Sequence, residues 1–236
     1  MAGGQDAQGT GAVVVERVVT PRGELVLRRA QEHHEIIHNG VFLMDTRNGA
    51  SERLLVRAAI AACGQPRVRV LLGGLGVGFS LDEALRHPAV TEVVVVEVEE
   101  AIIRWHATHF GAQASTARAD PRTRVVNADL TAWLVDGADQ FEAICLDIDN
   151  GPDWTVTAGN AVLYTAEGLS LLGRRLGPGG VLAVWSAMAA PAFEAALGQH
   201  FSSVRVHLVE VPRGGPDHVY VAAGARSGPL TRDSFM

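Results

Sequence analysis

Between Val13 and Met44, apolar and polar positions alternate with a period of two in short β-rich runs. The pattern predicts strands at Val13–Val19, Glu24–Arg29, Glu35–His38 and Val41–Met44, with turns at Thr20-Pro21-Arg22-Gly23 and Asn39-Gly40. Pro-x-Gly and Asn-Gly supply the backbone angles of a tight hairpin turn, so residues 12–48 are expected to form a small antiparallel β unit. After Asp45-Thr46-Arg47-Asn48-Gly49 the period becomes helical through Glu52–Ala62. Apolar runs then recur at 67–72, 92–97, 123–127, 141–147 and 180–186, and helical patterns begin near Val77, Glu99, Asp129 and Thr165. Strands alternating with helices must pair in parallel, with helices on both faces. The end of the chain breaks this rhythm. Val204–Val211, Pro212-Arg213-Gly214-Gly215-Pro216 and His218–Ala222 read as a β-hairpin that adds antiparallel strands. The expected α/β architecture is a Rossmann-like, mainly parallel, seven-stranded sheet over residues 49–225. Residues 1–11 and 226–236 are expected to be disordered or mobile ends.

In an open sheet of this kind, ligands bind beyond the carboxyl ends of the strands. Four segments fall there. The run 67–72 breaks into Gly73-Gly74-Leu75-Gly76-Val77-Gly78, and the run 92–97 ends on Glu97. Glycines let the backbone approach a ligand, and an acid about 20 positions on can accept from ribose hydroxyls. Phe79 stands where the dinucleotide pattern G-x-G-x-x-G needs its last glycine, so no pyrophosphate is expected. A nucleoside with a short charged tail fits better: S-adenosylmethionine or its decarboxylated form. A parallel sheet closed by an antiparallel hairpin is also the class I methyltransferase arrangement, which disfavours a dehydrogenase. Asn127-Ala128-Asp129 ends the third strand, and Asp129 either accepts from an adenine amino group or caps the next helix.

The fourth strand runs into Asp147-Ile148-Asp149-Asn150-Gly151-Pro152-Asp153-Trp154. Such a sequence makes an ordinary turn, yet Asp147 follows an apolar run, where an unpaired carboxylate is costly. An acidic rim suits an amine substrate. A primary amine is protonated at neutral pH, and exposing its lone pair costs about 4 kcal/mol. A neighbouring Asp can hold the ammonium, align it and accept its proton during attack. A second carboxylate can anchor the far end of a diamine. Trp154 and Tyr164 are candidates to wall the acceptor pocket.

Composition narrows the rest. A chain of 236 residues, 47% hydrophobic and 19% charged, suffices for one α/β domain and a small appendage. A net charge of -6 without a basic run argues against a nucleic-acid surface. All 20 basic residues are Arg, which excludes lysine Schiff-base chemistry and suggests a GC-rich bacterial genome. Cys63 and Cys145 lie far apart in apolar runs and read as buried small hydrophobes. No apolar run approaches the roughly 18 residues of a membrane span, and no leader pattern opens the chain, so a cytoplasmic protein is expected. No metal is expected: His33 and His34 have no further ligands nearby, and His106 and His109 read as a helix surface. Trp105, Trp133 and Trp185 read as packing.

The order Gly-Gly-x-Gly-x-Gly, Val96-Glu97-Val98-Glu99, Asn127-Ala128-Asp129, Asp147-Ile148-Asp149-Asn150-Gly151-Pro152, Leu163-Tyr164-Thr165-Ala166-Glu167-Gly168 and Pro178-Gly179-Gly180-Val181-Leu182 resembles the spermidine synthases, the polyamine aminopropyltransferases. The resemblance covers roughly residues 35–225. It implies decarboxylated S-adenosylmethionine as donor, an amine acceptor and a homodimer. The implied donor contacts are Gly73, Gly74, Gly76, Gly78, Glu97, Val98, Asn127, Ala128, Asp129 and Asp147. Asp147 is the implied base, assisted by Asp149, and Glu52, Asp149, Asn150, Trp154 and Tyr164 would face the acceptor. Three positions depart from the family pattern. Gly76 replaces an Asp that contacts the donor's aminopropyl end, Ile148 and Asn150 replace residues of Asp-Ser-Ser-Asp-Pro, and Ala50-Ser51-Glu52 replaces Tyr-x-Glu. Two alternatives stay open: a methyltransferase or aminocarboxypropyltransferase using intact S-adenosylmethionine, and a non-catalytic nucleoside-binding protein.

Overall fold

The computed structural model describes residues 11–211 and 214–226. The expected disordered and mobile ends therefore lie outside the described residues, apart from Gly11 and Arg226, and so do Pro212 and Arg213 of the terminal turn. The chain divides into two compact units, 1–48 and 49–236.

The first unit is a four-stranded antiparallel sheet in the order β1 (Val13–Thr20), β2 (Gly23–Ala30), β3 (His33–His38), β4 (Val41–Asp45). The turn between β3 and β4 follows from chemistry at Asn39-Gly40, where both residues take positive φ, 50° and 80°. The Asn39 side chain also accepts from Glu24 N at 2.8 Å, which ties that turn to β2. Leu25, Leu27 and Ile36 are buried on one face of the sheet. Edge strand β1 is different: Val13, Val14, Val15 and Val19 are all exposed.

In the second unit, α1 (Ala50–Cys63) leads into β5 (Val68–Gly73), α2 (Phe79–Arg86), β6 (Val90–Glu97), α3 (Glu100–Thr108), α4 (Gly111–Ala119), β7 (Thr123–Asn127), α5 (Leu130–Asp136) and β8 (Phe141–Leu146). A short 3-10 helix (Ala158–Tyr164), α6 (Ala166–Arg175), β9 (Leu176–Ser186), α7 (Pro191–His200), β10 (Phe201–Val209) and β11 (Asp217–Ala225) complete it. The seven-stranded sheet runs β10-β11-β9-β8-β5-β6-β7. Strands β5 to β9 pair in parallel, while β11 pairs antiparallel with β9 and β10 with β11. This is the expected methyltransferase-like sheet. Its core is built from runs such as Leu71, Val94, Ile144 and Leu182, buried on both faces as parallel strands require.

Three short helical elements escaped the sequence pattern. Helix α4, Gly-Ala-Gln-Ala-Ser-Thr-Ala-Arg-Ala, has small residues and no apolar stripe. The 3-10 helix is too short for a period. Helix α7 starts on Pro191, a good first-turn residue, and β10 begins at Phe201 without an intervening loop. Two side-chain expectations also need correction. His106 does not face solvent; it is fully buried between α3 and the glycine loop, and burial holds its imidazole neutral with a pKa lowered to about 4. Cys63 is only half-buried at the end of α1, whereas Cys145 is buried in β8.

Candidate active site at the carboxyl ends of the strands

The five parallel strands end at one rim, and the expected donor residues meet there. Gly74 follows β5 with φ +92°, and a Cβ on it would stand 2.3 Å from the Asp147 carbonyl oxygen. Only glycine lets the loop after β5 lie against the end of β8. Gly78 caps α2 at φ +96°, and a Cβ there would meet His106 Nε2 at 2.2 Å. The buried His106 thus fills the space that a side chain at 78 would need.

Glu97 ends β6 and is buried. Its carboxylate accepts from Leu75 N and Glu99 N, each at 2.9 Å, and from Gly76 N. Burial still pushes its pKa up, against these backbone donors. The acid therefore clasps the glycine loop. A carboxylate offers roughly four acceptor sites, so about one is left for a ligand hydroxyl. Asn127 Nδ2 donates to the carbonyls of Glu97 (2.9 Å) and Val98 (3.1 Å), and Ala128 N to Glu97 O (3.2 Å), which locks β6 to β7. Asp129 caps α5 by accepting from Ala132 N at 2.9 Å, while staying exposed.

The remaining acids at this rim fall into two groups. Asp149 is buried and accepts from Val156 N (2.8 Å), Thr157 N (3.3 Å) and Tyr164 Oη (3.2 Å). It organises the loop that follows β8. Tyr164 is held in turn by an edge-to-face contact with Phe193, 5.6 Å between centroids. Asn150 is buried and its carbonyl accepts from Ala187 N. Trp154 is 48% exposed.

Asp147 is different. Burial pushes its carboxyl up to about 8, reinforced by Glu52, Asp217 and Glu97 and opposed by a hydrogen bond from Ser80. Glu52, on the first turn of α1, is buried, and burial raises its pKa as well. Ser51 Oγ lies 3.0 Å from Glu52 Oε2 and 2.7 Å from Asp217 Oδ2. Trp185 Nε1 also reaches Asp217 Oδ2, at 3.4 Å, so this tryptophan does more than pack. Sequence reasoning missed Asp217. Its signal was positional: an antiparallel strand begins at the rim where parallel strands end, and Asp217 is the first residue of β11. Among the described residues, no group of three His, Cys, Asp or Glu side chains could hold a metal ion.

A likeness to known proteins runs through this region. The sheet superposes on a spermidine synthase crystallised with the transition-state analogue AdoDATO, with a TM-score of 0.75 and 19% identity over 91% of this chain and 74% of that one. The spermidine synthase of Thermotoga maritima gives a TM-score of 0.72 with 17% identity, over 91% and 72%. In sequence, a polyamine aminopropyltransferase of Streptomyces coelicolor is 37% identical over 51% of this chain and 22% of its own length. One from Pseudomonas aeruginosa is 33% identical over 56% and 36%. The match thus spans only about a fifth to a little over a third of the length of those curated relatives. The model of the spermine/spermidine synthase domain matches residues 50–207, which run from α1 into β10 and include Glu52, the glycine loop, Glu97 and Asp147. With more than half of its length matched, the chain belongs to the spermine/spermidine synthase domain family.

Proposed function

We propose that the chain transfers an aminopropyl group from decarboxylated S-adenosylmethionine to an amine. The observation that carries this reading is Asp147, a carboxyl at the end of β8 whose pKa lies near neutrality instead of the usual acidic range. A general base works best with a pKa close to the working pH. An ammonium beside Asp147 favours its ionised form, and the pair can then share the proton that must leave the nitrogen. Glu97 takes a ribose hydroxyl, Asp129 the adenine edge, and the glycine loop the donor's tail. Asp147 accepts the proton as the amine nitrogen bonds to the carbon next to sulfur and the carbon–sulfur bond breaks. A neutral thioether nucleoside leaves.

A second reading is favoured by Gly76. Where the family places an Asp against the donor's amine, this chain has no side chain, so nothing there repels the carboxylate of intact S-adenosylmethionine. The experiment is turnover with either donor and a panel of amines, identifying both products by mass. Aminopropylated amine with methylthioadenosine supports the first reading; methylated product or an aminocarboxypropyl adduct replaces it with the second. Homodimerisation accompanies the proposal, supported by the exposed valines of edge strand β1. Light scattering reporting a single 25.0 kDa chain at micromolar concentration would refute it.

A further inference from the structure

Asp147 is held by the segment that runs from β5 into α2, through its backbone and through its side chain. Its backbone N donates to Gly73 O at 3.0 Å, and its carbonyl oxygen leaves Gly74 no room for a side chain. Its carboxyl meets the hydroxyl of Ser80, two positions past Gly78 in the first turn of α2. Ser80 is buried, as are Leu81 and Ala84 of the same helix. A hydroxyl in such surroundings costs stability unless it is bonded. Ser80 Oγ has two acceptors within reach: the Asp147 carboxyl, and the carbonyl oxygen of Glu52 on α1 at 3.4 Å.

The protonation state of Asp147 decides which acceptor the hydroxyl serves. A serine hydroxyl donates one hydrogen and accepts through two lone pairs. When Asp147 is ionised, the Ser80 hydrogen goes to the carboxylate, because hydrogen bonds to charged groups are the stronger ones. When Asp147 carries a proton, its own O–H donates to Ser80 Oγ, and the serine hydrogen turns to Glu52 O. That second bond is long, so little is lost when it opens. Both states are satisfied by rotating one hydrogen. No heavy atom moves, and no covalent bond of Ser80 breaks. The other groups that bear on Asp147 differ. Glu52 on α1, Asp217 on β11 and Glu97 on β6 favour its neutral form, and Cys145 on β8 and Tyr164 on the 3-10 helix feel its charge. Ser80 acts the other way and favours the ionised form.

We propose that Ser80 is a positioning residue for Asp147, holding the carboxyl in one orientation while the proton of the attacking nitrogen arrives. Its catalytic consequence rests on the amine-transfer reading above. The proton passes from nitrogen to Asp147 as the nitrogen bonds to carbon, and the Ser80 hydroxyl changes from donor to acceptor in the same step. A carboxyl held only through its backbone would turn about its side-chain bonds and spend time in orientations that miss the amine. One stretch of chain, from β5 through the glycine loop into α2, thus fixes both the loop proposed to carry the donor and the base that works on the acceptor.

The test has two arms, one on turnover and one on the free protein. With decarboxylated S-adenosylmethionine and the fastest amine of the panel above, Ser80→Ala should lower kcat at pH 7 about tenfold and leave the KM of the amine within about twofold. The acidic limb of its kcat profile should move up by about one pH unit, because the carboxylate loses a donor. Ser80→Thr keeps the hydroxyl and should return the limb to its wild-type position. In the free protein, Ser80→Ala should lower the melting temperature more at pH 9 than at pH 5, since the lost bond is stronger when its acceptor is charged. In an Asp147→Asn background the same substitution should cost equally at both pH values. An unmoved acidic limb in Ser80→Ala, or equal destabilisation at both pH values when Asp147 is present, overturns this proposal alone. Wild-type protein that transfers nothing to any amine overturns the amine-transfer reading and the catalytic role of Ser80 with it; the melting experiment then decides the hydroxyl–carboxyl bond by itself.

Discussion

The two rims of the central sheet carry similar numbers of acids and treat them in opposite ways. At the amino ends of the parallel strands, Glu92 meets Arg69 at 2.8 Å, Asp139 lies 3.7 Å from both Arg69 and Arg124, and Asp120 meets Arg122 at 2.9 Å. The Arg122 guanidinium holds the Asp120 carboxyl below its ordinary value. At the carboxyl ends, Glu52, Asp147 and Asp217 meet hydroxyl, indole and backbone donors but no arginine ion pair among the described residues, and burial pushes all three upward. The first rim is a screened ion-pair lattice of modest energetic value. The second stores unfavourable charge. Among the described residues, arginine pairs the acids of the first rim and not these three of the second, and acids with pKa values raised in this way are what the proposed transfer calls for.

The sharpest way to break this comparison is at Asp147. Asp147→Asn keeps shape and hydrogen bonding but removes the base, so turnover should fall about 10²–10⁴-fold. Methylthioadenosine affinity should hardly change. Near-normal turnover of the variant with its true acceptor would remove the reason for reading the unpaired rim as catalytic.

Next in size is Glu97, the acid that clasps the glycine loop. Glu97→Ala should weaken methylthioadenosine binding by at least about 1.5 kcal/mol, the value of a hydrogen bond to a charged group. Part of that loss comes from loosening the loop, since Leu75 N and Glu99 N lose their acceptor. Titration calorimetry decides; unchanged affinity would take ribose away from Glu97.

The pH dependence of stability tests the stored charge directly. The Asp147 carboxyl is raised from about 3.8 in the unfolded chain to about 8. Its protonated form therefore adds stability that is fully present below about pH 4 and is lost as pH rises towards 8. Asp147→Asn cannot ionise, so it should melt higher than wild type at pH 8 and near wild type at pH 4. Thermal unfolding at the two pH values gives the answer, and equal destabilisation at both would contradict a strained acid. The smallest effect belongs to the other rim. Glu92→Gln should change stability by no more than about 1 kcal/mol, because its partners are part-exposed and screened, and should leave turnover unaltered. A large loss of turnover would erase the contrast between the rims.

Much of this was legible in the chain itself. Val93–Val96 running into Glu97 and Leu71–Leu72 running into glycines announce parallel strands ending in a close-packed loop, because buried strands need apolar residues and a close-approaching backbone needs glycine. The closing hairpin was visible in Pro212-Arg213-Gly214-Gly215-Pro216. Local chemistry also marked Asn39-Gly40 as a turn. Helix α4 was not legible, because small residues can be covered by neighbours without forming a stripe of their own.

The site separates the two kinds of information more cleanly. Sequence by itself determined which acids close the strands, since strand ends follow from period and breakers. Only the tertiary structure decided what each acid does. Asp149 and Asp147 sit two positions apart, but folding delivers Val156, Thr157 and Tyr164 to one and Glu52 and Asp217 to the other. The link from Ser51 to Asp217 crosses 166 positions. His106, polar by sequence, becomes a buried filler because Gly78 leaves it room. The physical reason is common to all three: charge state and hydrogen bonding depend on neighbours in space, and those neighbours come from strands brought together by the order of the sheet, which no local pattern encodes.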